Sequence, residues 1–369
     1  MTTPNLNPAS ELNQRIHHAI AQAGGWLPFD RFMAMALYEP GLGYYTNALQ
    51  KFGAMPSSGS DFVTAPGMSP LFGQTVAVQV REALQATGTD EVWEFGAGTG
   101  ALALQLLDSL GDALARYTII DLSGTLRARQ AETLLKYADK VRWQGSWPDT
   151  IEGVVVGNEV LDAMPVQLLQ RTGGVWHERG VVSAEDGEGF AWQDRPTDLR
   201  PSVEIEGDHD YLTEIHPQAE AFVASLAERL LAGRGGAAFF LDYGFPEGEY
   251  FHPQRHMGTV MCHQLHQADD NPLLAVGQKD ITAHVNFTGV ALAGQNAGLD
   301  VLGYASQAWF LLNLGLAERM AAATLAERSQ AQRLINEHEM GELFKVIGFA
   351  TSSGWAAQGF ARGDRSHRL

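Results

Sequence analysis

Apolar and polar positions follow two different periods along the chain. Over residues 1–90 the apolar side chains recur at helical spacing, and Pro70 and Gly88 mark the start and the end of one helix. From Glu91 onward, short apolar runs that end in polar residues alternate with amphipathic segments. This alternation of strands and helices predicts a parallel sheet that is covered by helices on both faces.

The individual elements follow from the same pattern. Helices are predicted after Ser10 and at Phe29–Leu37, Pro70–Thr87, Ala101–Leu110, Leu126–Tyr137 and Pro217–Leu231. Strands are predicted at Val92–Phe95, Tyr117–Ile120, Val141–Trp143, Val154–Val156, Ala237–Leu241, Val301–Tyr304 and Phe344–Phe349. A long Ala-rich helical region is predicted before the last strand. The turn pairs Gly173-Gly174 and Asp186-Gly187 indicate β-hairpins inserted into the α/β pattern.

The predicted fold class is therefore α/β, a Rossmann-like sheet with an N-terminal helical region and a β-rich insertion. Since a domain typically has about 150 residues, a chain of 369 residues is expected to form two units. The expected parts are an N-terminal helical or lid region at 1–90, the first part of the Rossmann-like domain at 91–165, a β-hairpin insertion at 166–215, and the remainder of that domain at 216–369, with a His-rich insertion at about 246–280.

Acidic residues outnumber basic residues, with 43 Asp and Glu against 25 Lys and Arg, which gives a net charge of −18. Nucleic-acid phosphates and an anionic membrane surface would both repel such a chain, so neither is an expected partner. A basic peptide or protein is the charged partner class that remains. Residues 185–214 hold ten acidic and two basic residues, which predicts either a face that steers a basic protein substrate or a solvated hairpin surface.

A single cysteine, Cys262, excludes an internal disulfide and any site built from several cysteines. No apolar run approaches the length of a membrane span, and the polar N-terminus lacks the pattern of a signal peptide, so we expect a cytoplasmic protein. His252, His256, His263 and His266 surround Cys262 in the sequence. Their spacings match no standard zinc pattern, and no metal site is expected.

A glycine-rich segment, Glu94-Phe95-Gly96-Ala97-Gly98-Thr99-Gly100, lies between the first strand of the alternating region and a helix. Gly96 permits a tight turn and Gly98 permits close approach of a ligand to the backbone. Gly100 allows the helix to pack near the strand. Ligands of open α/β sheets bind at this end of the strands, so the segment predicts a ligand site.

The acidic residues beside the glycines distinguish between two cofactors, a dinucleotide and S-adenosylmethionine. Asp121 ends the next strand, 21 residues after Gly100, where a carboxylate accepts hydrogen bonds from a ribose. Glu94 would repel a pyrophosphate but could pair with an α-ammonium group. The spacing is G-x-G-x-G rather than the G-x-G-x-x-G of dinucleotide sites, and S-adenosylmethionine is therefore the favoured cofactor.

Polar residues also follow the next two strands of the expected sheet. Asn158, Glu159 and Asp162 come after the fourth strand, and Asp242 ends the fifth, where its carboxylate either contacts the substrate or belongs to an ordinary turn. If Glu159 and Asp162 lie on a helical turn, their i, i+3 spacing puts both carboxylates on one face, where they suit a guanidinium. The alternative is that Asp162 caps a helix and Glu159 is solvated.

The chain resembles the MidA-like family of S-adenosylmethionine-dependent methyltransferases, which includes mitochondrial complex I assembly factors. The matching blocks are Phe29–Tyr45, Ser60–Pro66, Ser69–Gly73, Glu94–Gly100, Leu126–Gln130, Asn158–Pro165, Asp242–Gly244 and Asp280–Phe287. The resemblance implies a class I methyltransferase fold. It also implies that Thr64 contacts the cofactor, and that Asp61 and His284 contact the substrate. Because its mitochondrial members look like protein arginine methyltransferases, it implies a protein substrate such as a respiratory complex subunit.

The function expected from the sequence is methyl transfer from S-adenosylmethionine to an arginine nitrogen, with Asn158, Glu159 and Asp162 as catalytic residues. Two positions depart from the family pattern, because Gly67 and Asn286 stand where acidic residues are usual. These departures favour a second hypothesis, a non-catalytic assembly factor that binds S-adenosylmethionine. A third, an NAD-dependent oxidoreductase, is disfavoured by the glycine spacing.

Overall fold

The computed structural model of the chain describes residues 8–47, 64–121, 123–352 and 354–369, which form two compact units. The hairpin unit comprises the described residues of Met1–Phe62, Ala163–Ala219 and Glu247–His284, and the α/β unit comprises those of Val63–Asp162, Glu220–Pro246 and Val285–Leu369. Since α4 lies in the α/β unit, residues 64–90 do not belong with the N-terminal helices with which the sequence pattern had grouped them.

The regular elements are numbered in chain order. The helices are α1 (Pro8–Gln22), α2 (Phe29–Tyr38), α3 (Ala65–Met68), α4 (Pro70–Thr87), α5 (Ala101–Leu110), α6 (Gly124–Thr133), α7 (Pro217–Ala232), α8 (Glu247–Tyr250), α9 (Phe287–Asn296), α10 (Gln307–Asn313), α11 (Leu316–Ala322) and α12 (Leu325–Ile335). The strands are β1 (Leu27–Pro28), β2 (Glu91–Phe95), β3 (Arg116–Ile120), β4 (Val141–Gln144), β5 (Gly153–Asn158), β6 (Gln167–Thr172), β7 (Val175–Ser183), β8 (Phe190–Pro196), β9 (Tyr211–Ile215), β10 (Gly236–Phe245), β11 (Met261–Gln264), β12 (Gln267–Asp269), β13 (Asp280–Thr282), β14 (Val285–Asn286), β15 (Asp300–Ser306) and β16 (Phe344–Ala350).

The central sheet of the α/β unit has the order β4-β3-β2-β5-β10-β16-β15, with β14 also paired to β10. Strands β4, β3, β2, β5 and β10 run parallel, and β16 runs antiparallel to both of its neighbours. The strand order reverses between β2 and β5. In open α/β sheets the crevice at the carboxyl ends of such strands is the ligand site. This topology therefore predicts a ligand site at the carboxyl ends of β2 and β5.

The two faces of this sheet bury different layers because successive side chains point in opposite directions. Val92 on one face belongs to a core with α4 and α5 that includes Leu102 and Leu106. On the other face, Phe95 packs against Trp147 and Phe222, with ring centroids 4.8 Å and 5.0 Å away. Helices therefore cover both faces, as the apolar pattern predicts.

Helix α4 begins and ends where its sequence predicts. The Ser69 hydroxyl accepts a hydrogen bond from the backbone N–H of Leu71 at 3.3 Å, Pro70 occupies the first helical position, and Gly88 ends the helix in the left-handed region with φ of 65°. Other boundaries differ from the sequence pattern. Helix α6 stops at Thr133, and the Ala-rich region divides into α10, α11 and α12 at Gly315 and Thr324.

The hairpin unit contains the predicted β-rich insertion. Strands β1, β7, β6 and β9 form an antiparallel sheet to which β8 is added, and β12, β11 and β13 form a second, three-stranded sheet. The apolar faces of α1 and α2 supply its core, with Ile16, Phe29 and Phe32 fully buried. The His-rich stretch, expected to be a loop, holds the β11–β12 hairpin.

Nine of the ten acidic residues in 185–214 are exposed, and the exception is Glu214. The Glu214 carboxylate is fully buried and accepts hydrogen bonds from Tyr250 Oη at 2.8 Å and from the backbone N–H groups of Thr259 and Val260 at 2.6 Å and 3.0 Å. The sequence pattern included Glu214 in a segment expected to be either a steering face or a solvated hairpin surface, and for Glu214 both expectations are wrong because its buried carboxylate accepts hydrogen bonds from internal donors.

Candidate functional site

The glycine-rich segment forms the turn between β2 and α5, beside the point where the strand order reverses. Gly96, Gly98 and Gly100 have φ of 64°, 52° and 82°, in the left-handed region that glycine tolerates best. A Cβ atom on Gly96 would lie 3.0 Å from Val160 Cγ2, on the segment after β5. The three glycines therefore hold a tight backbone turn at the carboxyl edge of the sheet.

Glu94, on β2, is almost completely buried, with 2% of its surface exposed. Its carboxyl accepts a hydrogen bond from Tyr117 Oη at 2.7 Å. Burial raises the pKa of Glu94 to about 8; the nearby Asp121 adds to the rise, and the Tyr117 bond opposes it. Below that pH the carboxyl is neutral unless a cation binds beside it, so the site suits a ligand with an ammonium group.

Asp121 and the glycine turn are joined by one buried amide. The Gln130 Nε2 group donates to the Asp121 carboxylate at 2.7 Å and to the carbonyl oxygen of Gly98 at 3.0 Å. Trp143 Nε1 donates to Gln130 Oε1 at 2.9 Å. The sequence showed no sign of a role for Gln130, since nothing in an amphipathic helix marks which polar residue turns inward. Gln130 fixes the distance between the glycine turn and Asp121, the carboxylate expected to bind a ribose.

Thr64 is the residue that precedes α3, and its backbone carbonyl accepts the N–H of Met68 at 3.0 Å. Helix α3 is held to α5 by Gln105, whose Nε2 donates to the Pro66 carbonyl at 2.8 Å and whose Oε1 accepts the Gly73 N–H at 2.9 Å. Thr64 is thus anchored near the helix that begins at the glycine turn. Asp61 lies outside the described residues.

The segment after β5 is a turn and not a helix, which corrects the expectation that Glu159 and Asp162 share a helical face. The turn is held by Asp242, which lies on the neighbouring strand β10. Its Oδ2 accepts the backbone N–H groups of Val160, Leu161 and Asp162 at 3.1, 2.9 and 3.3 Å. These three hydrogen bonds satisfy the N–H groups of the turn and attach it to β10.

Glu159 begins this turn in an unusual backbone conformation. Its φ is 54°, in the left-handed region that costs a non-glycine residue about 1–2 kcal/mol. Its N–H donates to the Leu241 carbonyl at 2.9 Å, and its Oε1 accepts a hydrogen bond from Asn158 Nδ2 at 2.9 Å. The Asn158 Oδ1 atom is buried without a hydrogen-bond partner among the described residues.

Asp162 completes a group of three carboxylates. Its Oδ2 accepts a hydrogen bond from the hydroxyl of Tyr243, the residue after Asp242 on β10. Burial raises the pKa of Asp242 well above its ordinary value, and the charges of Asp162 and Glu159 raise it further. The two carboxylates beside Asp242 produce a negative potential that a guanidinium or ammonium group would relieve.

The Asp-Tyr-Gly segment lies within β10 and not in a turn, and it has a positioning role that the sequence did not reveal. Asp242 was predicted to contact substrate, but both of its oxygens accept backbone N–H groups, Oδ1 that of Tyr243 at 3.0 Å. The carboxylate therefore fixes the turn that carries Glu159 and Asp162, and a substrate contact by Asp242 stays a prediction. A Cβ on Gly244 would lie 2.1 Å from the Val285 carbonyl, so glycine is required for β14 to pair with β10.

His284 and Asn286 lie in different units. His284 belongs to the hairpin unit, where its backbone N–H donates to Thr259 Oγ1 at 3.0 Å, and its predicted substrate contact stays a prediction. Asn286 in the α/β unit caps α9, because its Oδ1 accepts the Gly289 N–H at 3.3 Å. An amide oxygen caps a helix as well as a carboxylate does, so this departure from the family pattern has a structural explanation.

No group of three or more His, Cys, Asp or Glu side chains among the described residues is arranged to hold a metal ion. Within the same part of the chain, no helix is long and apolar enough to cross a membrane.

Comparison with known proteins adds to this geometry. A family model described as "Putative S-adenosyl-L-methionine-dependent methyltransferase" matches residues 75–305. The mitochondrial protein arginine methyltransferase NDUFAF7 of Danio rerio is 29% identical, over 92% of this chain and 87% of its own length. Its Caenorhabditis elegans homologue is 26% identical over 86% of this chain and 80% of its own length.

The fold is also similar to a solved structure. A crystal structure of a protein from Burkholderia thailandensis, bound to S-adenosyl-homocysteine, superposes with a TM-score of 0.93 at 48% sequence identity. The match covers 100% of this chain and 99% of that protein. S-adenosyl-homocysteine is the product that S-adenosylmethionine leaves after methyl transfer, and its presence in a similar protein agrees with the cofactor predicted from the glycine turn.

Proposed function

Because residues 75–305 match its model, the chain belongs to the family of S-adenosyl-L-methionine-dependent methyltransferases, and we propose that it methylates arginine side chains of a protein. The observation that carries the arginine assignment is the group of carboxylates formed by Glu159 and Asp162 after β5 and by Asp242 on the neighbouring strand β10. The names of the mitochondrial relatives, at 26–29% identity, support the same substrate. A respiratory complex subunit is the protein substrate that we propose to test first.

The residues around the glycine turn fit the cofactor. Glu94 offers a buried carboxyl to the methionine ammonium group, and Gly96 and Gly98 leave room for the cofactor beside the backbone. Asp121 would accept the ribose hydroxyl groups, with its carboxylate held by Gln130. When bound, S-adenosylmethionine supplies an electrophilic methyl group on a sulfonium sulfur.

The residues after β5 would bind and orient the acceptor. A guanidinium is planar and keeps its charge, so it suits two fixed carboxylates, and we assign this role to Glu159 and Asp162. Holding the positive charge on one side leaves one guanidinium nitrogen free to attack the methyl carbon. The methylated nitrogen would then lose a proton, for which either carboxylate is an acceptor. Asp242 and Tyr243 position both groups.

Radiolabelling tests the proposal directly. The purified protein is incubated with S-adenosylmethionine carrying a labelled methyl group and with a lysate in which endogenous methyltransferases have been heat-inactivated. We expect labelled proteins that yield methylarginine on acid hydrolysis. Label in another amino acid or in a small molecule would contradict arginine as the acceptor. Absence of any labelled product, with cofactor binding intact by calorimetry, would favour the non-catalytic hypothesis instead.

The raised pKa of Glu94 predicts a pH-dependent affinity for the cofactor product. Below about pH 8 the carboxyl is protonated in the free protein, and an ammonium group favours its ionised form, so binding releases a proton. We expect the affinity for S-adenosyl-homocysteine to rise from pH 6.0 to pH 7.5, by at most about tenfold per pH unit. Calorimetry in two buffers with different ionisation enthalpies should detect the proton released at pH 7.

The control for this prediction is Glu94→Gln, which keeps the size of the side chain and cannot ionise. We expect it to bind S-adenosyl-homocysteine more weakly and with little dependence on pH. An affinity of the unmodified protein that is constant over this pH range would show that Glu94 does not hold the ammonium group.

A further inference from the structure

A groove with a volume of about 580 Å³ is lined mainly by residues of α4 and α5, and Thr133 and Arg319 also line it. This volume is within the range of small-molecule sites, roughly 300–1,000 Å³. All of its lining residues belong to the α/β unit, and none of them is part of the segment Glu94–Gly100. The groove is therefore distinct from the proposed cofactor site, and neither the proposed function nor any comparison assigns it a role.

The walls of the groove combine an apolar floor with cationic groups. Ala77, Val78 and Leu104 are apolar lining residues, and together they are called the floor. Arg81 and Arg319 contribute two guanidinium groups, of which Arg81 donates to the backbone carbonyl of Ser109. A lining of this kind, apolar with a few convergent polar groups, is typical of ligand sites.

Arg319 is the stronger indication of a ligand. Its Nε atom is buried without a hydrogen-bond partner among the described residues. A buried donor that lacks a partner costs free energy, and movement of the Arg319 side chain toward a ligand oxygen in the groove would remove that cost. Within the described ranges, no carboxylate is at ion-pair distance from Arg81 or Arg319.

The groove has one acidic lining residue, Asp108, and its charge is already compensated. The Asp108 carboxylate lies 2.8 Å from Lys136 Nζ and accepts a hydrogen bond from Tyr137 Oη at 2.5 Å. These two donors lower the pKa of Asp108. The net charge that the groove presents to a ligand is therefore positive, in a chain whose formal net charge is −18.

We propose that this groove binds a small organic anion that has an apolar body and a carboxylate or phosphate head. The head would accept hydrogen bonds from Arg81 and Arg319, and the apolar body would cover Ala77, Val78 and Leu104. Both oxyanion heads present the acceptor pairs that a guanidinium binds in a bidentate way. The site is independent of whether arginine is the methyl acceptor.

Calorimetric titration with phenyl phosphate, inorganic phosphate and benzoate tests the proposal on the whole protein saturated with S-adenosyl-homocysteine. We expect phenyl phosphate to bind more tightly than inorganic phosphate, because only the former covers the floor. Benzoate identifies whether a carboxylate head is accepted as well. The product is included because Thr133 Oγ1 donates to the Thr99 carbonyl at 2.9 Å, which places the groove next to the glycine turn.

Variants of the two arginines complete the test. Arg81→Gln and Arg319→Gln should each weaken phenyl phosphate binding about tenfold or more, the loss expected for a charge-assisted hydrogen bond. Arg319→Lys checks that loss of packing is not the cause, since it keeps the charge and most of the side-chain length. Arg234→Gln is the matched control, because Arg234 is exposed and does not line the groove.

Three outcomes would overturn the proposal. The first is that none of the three anions binds to the product-saturated protein. The second is displacement of S-adenosyl-homocysteine by phenyl phosphate, which would locate the anion in the cofactor site. The third is that Arg234→Gln weakens binding as much as Arg319→Gln does, which would indicate an unspecific charge effect.

Discussion

Replacement Glu159→Gly is expected to make the α/β unit more stable while it removes methyl transfer. Glu159 has φ of 54°, and glycine adopts this conformation without the cost of about 1–2 kcal/mol that other residues bear. Glycine also loses more chain entropy on folding, so the net gain should be about 1 kcal/mol. Removal of one carboxylate from the acceptor side should lower the turnover number about a hundredfold.

The matched variant is Glu159→Gln, which removes the charge and keeps the left-handed strain. It should lose activity to a similar extent without the gain in stability that glycine gives. Both variants should retain the affinity for S-adenosyl-homocysteine, because Glu159 lies after β5 and outside the glycine turn. Thermal unfolding, calorimetry and the labelling assay measure the three effects. A Glu159→Gly protein that is less stable, or that still transfers methyl groups at the normal rate, contradicts this assignment.

Replacement Gly98→Val is expected to abolish cofactor binding. Gly98 has φ of 52°, and a β-branched residue is a steric outlier in that region, so the turn must change its conformation. The amide of Gln130 would then lose its fixed acceptor, the Gly98 carbonyl. We expect the affinity for S-adenosyl-homocysteine to fall at least about a hundredfold, equivalent to about 3 kcal/mol.

Gly88→Val is the control for backbone strain. Gly88 ends α4 with φ of 65°, a conformation similar to that of Gly98, and a Cβ there would have no heavy atom within 4 Å. The control should be destabilised by the same steric cause, yet it should bind the product with normal affinity. Undiminished binding by Gly98→Val would exclude the glycine turn as the cofactor site.

The labelling experiment and the two variants together separate binding from catalysis. Gly98→Val acts on the cofactor side and Glu159→Gly on the acceptor side, at the ends of the neighbouring strands β2 and β5. A catalytic protein should lose product formation in both variants, but cofactor affinity in only one. A protein that binds S-adenosylmethionine without using it should form no product even before it is altered.

Local features of the chain were sufficient to predict the α/β unit. The bounds of strand β2, helix α5 and strand β3 were predicted to within one residue. This was possible because the apolar period and the glycine positions influence the backbone only over a few neighbouring residues. Errors occurred where a distant residue intervenes. The segment Glu159–Asp162 is a turn in which Glu159 has a φ of 54°, and Asp242, about 80 residues later, binds its backbone N–H groups.

Some buried polar residues could be identified from the local sequence, and others depend on residues that are distant in the chain. The spacing of Glu94, Gly96, Gly98 and Asp121 indicated a cofactor site, because the strand and the turn that carry them are formed locally. Nothing in the sequence showed that Gln130 would connect Gly98 to Asp121, or that Tyr243 would bind Asp162. A polar side chain in an amphipathic helix or a turn has no pattern that reveals its partner.

What the sequence alone determined is the class of sheet, the cofactor expected at the glycine turn, and the excess of acidic residues. These properties depend on residue types at fixed short spacings, and they can therefore be predicted without knowledge of the packing. The tertiary structure decided how the acceptor side is built and which acidic residue, Glu214, is internal. It did so because the hydrogen bonds of Asp242 and Glu214 join segments that are distant in the chain.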